Sequence, residues 1–305
     1  MFIADAHCDT LYSIAIEGNA PESCMTSLEN MKKGGVCLQT YALFTGRNGT
    51  EGTPYEDAVR MLDAIPSLGV PVFTGDLPED MPLAPSGIIS IEGGEALKGS
   101  IENLRVLDNR ARVRMIALTW NYENEIAHPA KNGPDGGLKP FGFELIREMD
   151  KLGIYADVSH LNEAGFWDVA ENMKLPPIAT HSNFRELCDV PRNLRREQVQ
   201  AIIDKNGFIG MNFYPRFLKK SGETDISDVI RHIDAIADMG GVRALGFGSD
   251  FDGIETQPKG LENASRFPDL IDALLRHGYS EEDVGGIAGL NFWRLLKRAE
   301  EIRKS

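Results

Sequence analysis

The sequence predicts an α/β fold, a (β/α)8 TIM-like barrel in which eight parallel strands close into a ring and helices connect them. Short apolar runs alternate with segments of helical periodicity along the chain, and strands separated by helices pair in parallel through crossovers. Such short apolar runs are typical of strands covered on both faces. A barrel of this kind needs roughly 250 residues, and the chain has 305. We therefore expect one domain over residues 1–305, with the C-terminal helices packed on its outside.

The predicted strands are short runs rich in apolar and β-branched residues, bounded by Gly, Pro or polar residues. After a first run that starts at Phe2, they cover residues 35–44, 71–74, 87–91, 113–120, 154–159, 177–180, 208–213 and 244–248. Segments 71–74 and 87–91 follow each other without a helix between them. The sequence therefore predicts eight or nine strands.

The predicted helices rest on apolar residues spaced by three and four positions, as in Ala58, Met61, Leu62 and Ile65. They cover residues 55–68, 96–109, 143–152, 162–173, 194–204, 226–239, 268–277 and 280–298. Residues 121–140 are rich in Gly, Asn and Pro, and we expect them to form a loop that helps to shape a pocket.

The charge of the chain excludes several kinds of partner. The sequence has 46 acidic and 32 basic residues, which gives a formal charge of −14. Such a charge repels phosphate backbones and anionic lipid surfaces, so we expect neither a nucleic acid nor a membrane as partner. A small anionic substrate remains compatible with it, because local arginines act at short range.

The chain has the composition of a soluble globular protein, with 42% apolar and 26% charged residues. Its start has no basic segment before the first apolar run, so we expect no signal peptide and a cytoplasmic location. Four cysteines are scattered without a Cys-x-x-Cys pair, which argues against disulfides and thiolate zinc sites. They are Cys8, Cys24, Cys37 and Cys188.

Six polar residues stand just after predicted strands, where the chemistry of a barrel is located. Any one of them can be a structural histidine or a turn-forming aspartate, but together they predict a metal site, because nitrogen and oxygen ligands suit a zinc-type ion. His7 and Asp9 point the same way since strand residues alternate, and Cys8 between them faces the other side as a packing residue. The six are His7, Asp9, Glu92, His160, His181 and Asp250.

The chain resembles the membrane or renal dipeptidases, which are zinc dipeptidases with a (β/α)8 barrel of the metal-dependent hydrolase type. Several short motifs in the right order carry the resemblance through nearly the whole chain. They are Asp5-Ala-His-Cys-Asp9, Ser90-Ile-Glu-Gly-Gly94, Gly137-Leu-Lys-Pro-Phe-Gly142, Asp157-Val-Ser-His160, Thr180-His-Ser182, Pro191-Arg-Asn193, Asn212-Phe-Tyr214 and Gly246-Phe-Gly-Ser-Asp-Phe-Asp-Gly253.

The resemblance implies a site with two zinc ions per chain. His7 and Asp9 would hold one ion, His160 and His181 the other, and Glu92 would bridge both. The paired ions would lower the pKa of a bridging water and give a hydroxide nucleophile. Another divalent ion in place of zinc stays open.

The resemblance also implies substrate-handling residues. Arg192 would bind the C-terminal carboxylate of a dipeptide, although the segment 192–196 can also be read as a solvated helix start. Asp250 would carry a proton to the leaving amine, although it can also be a turn residue. Tyr214 is assigned to substrate binding with its motif.

One position departs from the family. The renal enzyme has a histidine after Leu-Thr that supports the substrate carbonyl oxygen, and this chain has Trp120 there. An indole offers only an N–H donor and carries no titrating charge. We therefore consider His128, in the same loop, as a substitute; otherwise it is a surface loop histidine before Pro129.

The sequence thus predicts a zinc dipeptidase for small L,L dipeptides and leaves open those with a C-terminal D-residue. One alternative is another metal-dependent amidohydrolase on the same barrel, acting on a cyclic amide, a lactone or an acylated amino acid. Another is a catalytically silent barrel that binds a peptide-like ligand. The family resemblance also raises a homodimer as an expectation.

Overall fold

The predicted fold class is confirmed. The computed structural model describes residues 1–46, 52–131 and 136–304. Eight parallel strands form a closed barrel in chain order, and β1 pairs with both β2 and β8. The strands are β1 (Ile3–Cys8), β2 (Val36–Phe44), β3 (Ser86–Glu92), β4 (Val113–Ala117), β5 (Tyr155–Asp157), β6 (Ile178–Ala179), β7 (Phe208–Met211) and β8 (Leu245–Phe247).

Helices occupy every connection between the strands and follow the last one. They are α1 (Thr10–Ala15), α2 (Leu28–Gly34), α3 (Pro54–Asp63), α4 (Ile101–Ala111), α5 (Pro140–Leu152), α6 (Glu163–Asn172), α7 (Arg196–Asp204), α8 (Pro215–Leu218), α9 (Ile226–Ala237), α10 (Phe267–His277), α11 (Glu281–Gly285) and α12 (Asn291–Lys304). None of the described helices is both long and apolar enough to cross a membrane.

The strand register brings the carboxyl ends of the strands to one rim. Phe44 at the end of β2 pairs with Glu92 at the end of β3, and Glu92 pairs with Ala117 at the end of β4. Ala117 in turn pairs with Asp157 at the end of β5. Side chains that follow these strands therefore share one end of the barrel.

The ninth predicted strand, residues 71–74, is not part of the ring. Val72 makes a single parallel bridge with Gly87 of β3. Strand β4 pairs with β3 only from Ile89 onward. Residues 71–74 therefore lie beside the earlier part of β3, before its pairing with β4 begins. The prediction of a barrel strand at 71–74 is wrong, and the barrel has eight strands.

Two predicted helices are broken by backbone geometry. The α-helix predicted over residues 55–68 ends at Asp63. The chain continues as a 3-10 turn that contains Pro66, which cannot donate the next helical hydrogen bond. Residues 280–298 divide into α11, a wide turn and α12. In that turn a Cβ atom at Gly289 would lie 2.9 Å from the backbone nitrogen of Ala4, so the chain passes directly against β1.

The last helix, α12, packs on the outside of the barrel. It contacts β1, β7, β8 and α5. The Tyr155 hydroxyl of β5 donates to the Leu295 carbonyl at 2.7 Å. Arg114 of β4 and Glu300 form a buried ion pair at 2.8 Å. These contacts fix α12 to the strands.

Candidate metal centre

The structure brings the six polar residues predicted at strand ends into one buried cluster. His7 lies in β1 and Asp9 directly after it, and Glu92 ends β3. His160, His181 and Asp250 lie in the loops after β5, β6 and β8. All six side chains are buried.

Glu92 contacts three histidines through its two carboxylate oxygens. Its Oε2 atom lies 3.3 Å from Nε2 of His7. Its Oε1 atom lies 3.1 Å from Nε2 of His160 and 3.3 Å from Nε2 of His181. The two oxygens of one carboxylate thus face different nitrogen ligands, an arrangement in which one side chain can contact two cations.

A second set of potential ligands surrounds the other side of His7. Its Nε2 atom lies 3.7 Å from Oδ2 of Asp9 and 3.8 Å from Oδ1 of Asp250. His7, Asp9 and Asp250 form one group whose ligand atoms lie within 4.8 Å of one another, and His7, Glu92 and His181 form another. The two groups meet at His7.

The electrostatics of the cluster fit a bound cation. Burial, together with the charge of Glu92, raises the pKa of Asp9 to about 7, and burial also raises the pKa of Asp250. Burial alone would lower the pKa of His7, but Glu92 and Asp9 hold that pKa well above its usual value. Nε2 of His7 and Oδ1 of Asp9 have no hydrogen-bond partner within the described part of the chain. The carboxylates thus favour a positive charge among them, and two buried ligand atoms are available to a metal ion.

Hydrogen bonds orient the two remaining histidines so that Nε2 faces the cluster. Nδ1 of His160 lies 3.1 Å from Oδ1 of Asn121, so Nδ1 carries the proton. Burial lowers the pKa of His160 to about 3 and also lowers that of His181 well below its usual value. Both rings are therefore neutral, the form that binds metal.

The orientation of His181 depends on a relay through Thr180. Nδ1 of His181 lies 2.8 Å from the Thr180 hydroxyl, and that hydroxyl donates its proton to Oδ2 of Asp157. Since the hydroxyl proton is used on Asp157, the Thr180 oxygen accepts the Nδ1 proton of His181. Nε2 of His181 is left with its lone pair toward Glu92, as is usual for metal-binding histidines held by an outer partner.

Two of the cluster residues have unusual backbone conformations. His160 and Asp250 adopt left-handed φ angles of 68° and 64°. Such conformations cost energy for residues other than glycine and occur preferentially at functional sites. Asn212 donates to Oδ2 of Asp250 at 2.8 Å and leaves Oδ1 facing His7.

Asp5 is spaced by two and four residues from His7 and Asp9, and its hydrogen bonds support the loop after β8. Its carboxylate accepts hydrogen bonds from the backbone nitrogen of Ser249 at 2.8 Å and from the Ser249 hydroxyl at 2.6 Å. Gln39 donates to it at 3.0 Å. Asp5 thus connects β1 to the loop after β8 that carries Asp250.

Arg192 is a buried cation whose hydrogen bonds are incomplete. Its guanidinium donates to the Ser182 hydroxyl at 3.4 Å and to the His181 carbonyl at 3.2 Å, and it lies 5.4 Å from the ring centre of Phe217. Among the described residues, Nε has no hydrogen-bond partner and no carboxylate forms an ion pair with the group. A planar cation of this kind is suited to a carboxylate from a ligand.

A cavity of about 480 Å³ opens above the cluster. Its lining includes Arg192 and Tyr214, which both contact Phe217, and the neighbouring rings of Phe44 and Trp120. A volume of this size accommodates a small molecule such as a dipeptide. The predicted substrate-binding residues Arg192, Trp120 and Tyr214 thus all line the same space as the cluster.

His128 is not among the described residues that line this cavity. Its Nδ1 atom lies 3.5 Å from Oε2 of Glu123, and its ring lies against Gly136. Glu123 and Gly136 are thus described neighbours of the ring, and the role of His128 as the substitute for the family histidine stays a prediction. Residues 132–135 of the same loop lie outside the described residues.

The supporting residues Asn121, Asp157, Thr180 and Asn212 had no assigned role in the sequence analysis. Asp157 carries the clearest signal, since it is an acidic residue within the apolar run Ile154–Tyr–Ala–Asp–Val. A carboxylate in a buried strand requires a hydrogen-bond partner. The identity of that partner, Thr180 of the next strand, depends on the register of the fold.

The barrel and the buried cluster of histidines and carboxylates at its C-terminal rim together define a metal-dependent hydrolase. The family model described as membrane dipeptidase (Peptidase family M19) matches residues 1–305. The chain belongs to this family and is a metal-dependent dipeptidase.

Three relatives illustrate the similarity. Dipeptidase aclJ of Aspergillus oryzae is 31% identical over 296 residues, which cover 90% of this chain and 70% of that protein. An uncharacterized dipeptidase of Schizosaccharomyces pombe is 35% identical over 221 residues, 70% of this chain and 53% of that protein. The crystal structure of a metallo peptidase from Rhodobacter sphaeroides, liganded with a phosphinate mimic of the dipeptide L-Ala-D-Ala, has a TM-score of 0.86 and 26% identity, and covers 98% of this chain and 99% of that chain.

Proposed function

We propose that the chain is a binuclear zinc dipeptidase that hydrolyses the peptide bond of small dipeptides, L,D as well as L,L. The observation that carries this proposal is the position of Glu92, whose two oxygens face different histidines. His7 and Asp9 would hold one ion, and His160 and His181 the other. Glu92 would contact both and offset part of the repulsion between them.

Bound zinc ions supply a water of lowered pKa as nucleophile and polarise the scissile carbonyl. Asp250 is assigned to proton transfer in this scheme. It lines the cavity, its pKa is raised by burial, and Asn212 fixes one of its oxygens. A carboxyl with a raised pKa can take a proton from the attacking water and donate it to the leaving amine.

Arg192 is assigned to the C-terminal carboxylate of the substrate. Its buried guanidinium has an unused N–H, and no described carboxylate satisfies its charge. A substrate carboxylate would form a charge-assisted hydrogen bond there and place the adjacent peptide bond near the metal ligands. Longer peptides would lack a carboxylate at this distance, which restricts the enzyme to short substrates.

The proposal is tested with purified protein of measured zinc content and a panel of L,L and L,D dipeptides. The panel includes L,D members because the Rhodobacter sphaeroides relative was crystallised with a mimic of L-Ala-D-Ala. Each dipeptide is compared with its N-acetylated and C-amidated forms. We expect hydrolysis of the free dipeptides and a loss of kcat/KM on C-amidation. Equal hydrolysis of the C-amidated forms would favour another amidohydrolase activity, and zinc-loaded protein without turnover would favour a silent binding protein.

A further inference from the structure

One wall of the cavity is a continuous set of aromatic rings. The ring centres of Tyr12 and Phe44 lie 5.1 Å apart, and those of Phe44 and Trp120 lie 5.2 Å apart. All three residues line the cavity, and Tyr122 extends the set at 5.4 Å from Trp120. We call Tyr12, Phe44 and Trp120 the aromatic wall.

The backbone of Gly46 provides the space for the Trp120 indole. A Cβ atom at Gly46 would lie 2.6 to 2.9 Å from three carbon atoms of the Trp120 side chain. Such distances are shorter than van der Waals contact, so any larger residue at this position would displace the ring. Phe44 packs against the same indole. Trp120 is therefore held in a fixed position, 6.1 Å between ring centres from His160.

Phe44 of the aromatic wall and Arg192 come from opposite parts of the barrel rim. Phe44 ends β2, and Arg192 lies in the loop after β6, four strands away in a ring of eight, while Trp120 follows β4 and packs against Phe44. The metal ligands lie at the rim between them. A dipeptide whose C-terminal carboxylate binds Arg192 and whose peptide bond lies at these ligands extends its N-terminal residue toward the aromatic wall.

We propose that Trp120 determines specificity: its indole, with Phe44 and Tyr12, contacts the side chain of the N-terminal residue and selects apolar side chains, aromatic and large aliphatic ones above all. This inference rests on the proposed dipeptidase function. An apolar side chain gains by leaving water for these rings, whereas a charged one would exchange its hydration for a largely apolar surface. Trp120 acts here through contact with the substrate, not as a replacement for a carbonyl-binding histidine.

The test compares kcat/KM over two series of free dipeptides, X-Ala and Ala-X, with X as Gly, Ala, Leu, Phe or Glu. For the zinc-loaded enzyme we expect Phe-Ala and Leu-Ala to exceed Gly-Ala by about ten- to a hundredfold, the range that pocket contacts with a few methylene groups provide. Glu-Ala should be the poorest member. The Ala-X series should show no parallel preference from the aromatic wall.

Three variants then assign the preference to the indole. Trp120→Ala should reduce the Phe-Ala to Gly-Ala ratio to within about threefold of unity, and Trp120→Phe should retain a larger part of it. Gly46→Ala keeps the indole but displaces it, so it should weaken the same ratio. Zinc content and circular dichroism, measured for each variant, show whether the fold and the metal site are retained.

The outcomes separate this inference from the proposed function. If the zinc-loaded enzyme hydrolyses all X-Ala dipeptides equally well, or if Trp120→Ala retains the full ratio, the inference is wrong while the dipeptidase function stands. A change confined to the Ala-X series would place Trp120 at the other end of the substrate and also overturn it. Absence of hydrolysis of every free dipeptide would overturn the proposed function and this inference with it.

Discussion

The Oε1 atom of Glu92 lies 3.1 Å from Nε2 of His160, while the second oxygen of the same carboxylate faces His7. Burial would raise the pKa of Glu92, but the charge of His7 holds it well below its usual value. Glu92 is therefore a carboxylate anion whose two oxygens face different nitrogen ligands.

Replacement of Glu92 by glutamine removes the charge with little change in volume. We expect Glu92→Gln to lose at least one zinc ion per chain and to lower kcat/KM by more than the roughly 10- to 100-fold that loss of an outer partner costs. Zinc analysis after dialysis checks this. The matched control is Glu95→Gln, since Glu95 binds Asn124 instead of the histidines. Two retained zinc ions in Glu92→Gln would argue against the bridging role.

Arg192→Lys tests the carboxylate site. Lysine keeps the charge but lacks the planar fork, so we expect KM for a free dipeptide to rise about tenfold or more with a smaller change in kcat. The difference between free and C-amidated substrates should shrink at the same time. Arg195→Lys is the control, because Arg195 is an exposed residue that pairs with Glu163. An unchanged KM in Arg192→Lys contradicts the assignment.

Thr180→Val removes the relay between Asp157 and His181 with almost no change in shape. Without the hydroxyl, Nδ1 of His181 loses its acceptor and Asp157 loses its hydroxyl donor. We expect zinc affinity to fall roughly 10- to 100-fold, as for other outer partners of metal ligands. Competition with a zinc chelator measures this. Thr180→Ser should restore most of the affinity, and wild-type affinity in Thr180→Val would show that the relay does not support the site.

His232 lies outside the metal cluster, and we expect it to make the free energy of unfolding depend on pH. Its Nδ1 accepts from the Phe184 backbone and its Nε2 lies 2.9 Å from the Leu218 carbonyl. Burial lowers the pKa of His232 from 6.5 to about 4. The unfolded chain therefore binds a proton that the folded chain refuses, and stability is lost as the pH falls through this interval.

We expect this residue to lower the free energy of unfolding by up to about 3 kcal/mol between pH 6.5 and 4. Denaturant unfolding of wild type and His232→Gln at several pH values isolates this contribution as the difference between their slopes. Equal slopes for wild type and His232→Gln would contradict the prediction.

The sequence predicts the rim residues well because the ends of short apolar strands are marked by polar residues. His7, Glu92 and His181 come directly at or after such runs, and parallel strands place them at one rim. Short helices such as α1 and α2 were missed, because six or seven residues give too few turns for a periodicity.

Contacts between neighbouring strands and loops could not be predicted from the sequence. The hydrogen bond from Thr180 to Asp157 depends on the pairing of β5 with β6, and the contact of His128 with Glu123 depends on the path of its loop. The break at Gly289 depends on how closely the chain passes β1. Each is a property of tertiary packing, which local patterns do not encode.

The most direct test of the proposed binuclear zinc site is a zinc titration of the metal-free chain. Zinc is removed with a chelator and returned in small steps while hydrolysis of a free dipeptide is followed. We predict that activity reaches its plateau at two zinc ions per chain, because His7 with Asp9 and His160 with His181 form two half-sites joined by Glu92. A plateau at one ion per chain, or full hydrolysis by the metal-free chain, would contradict the account.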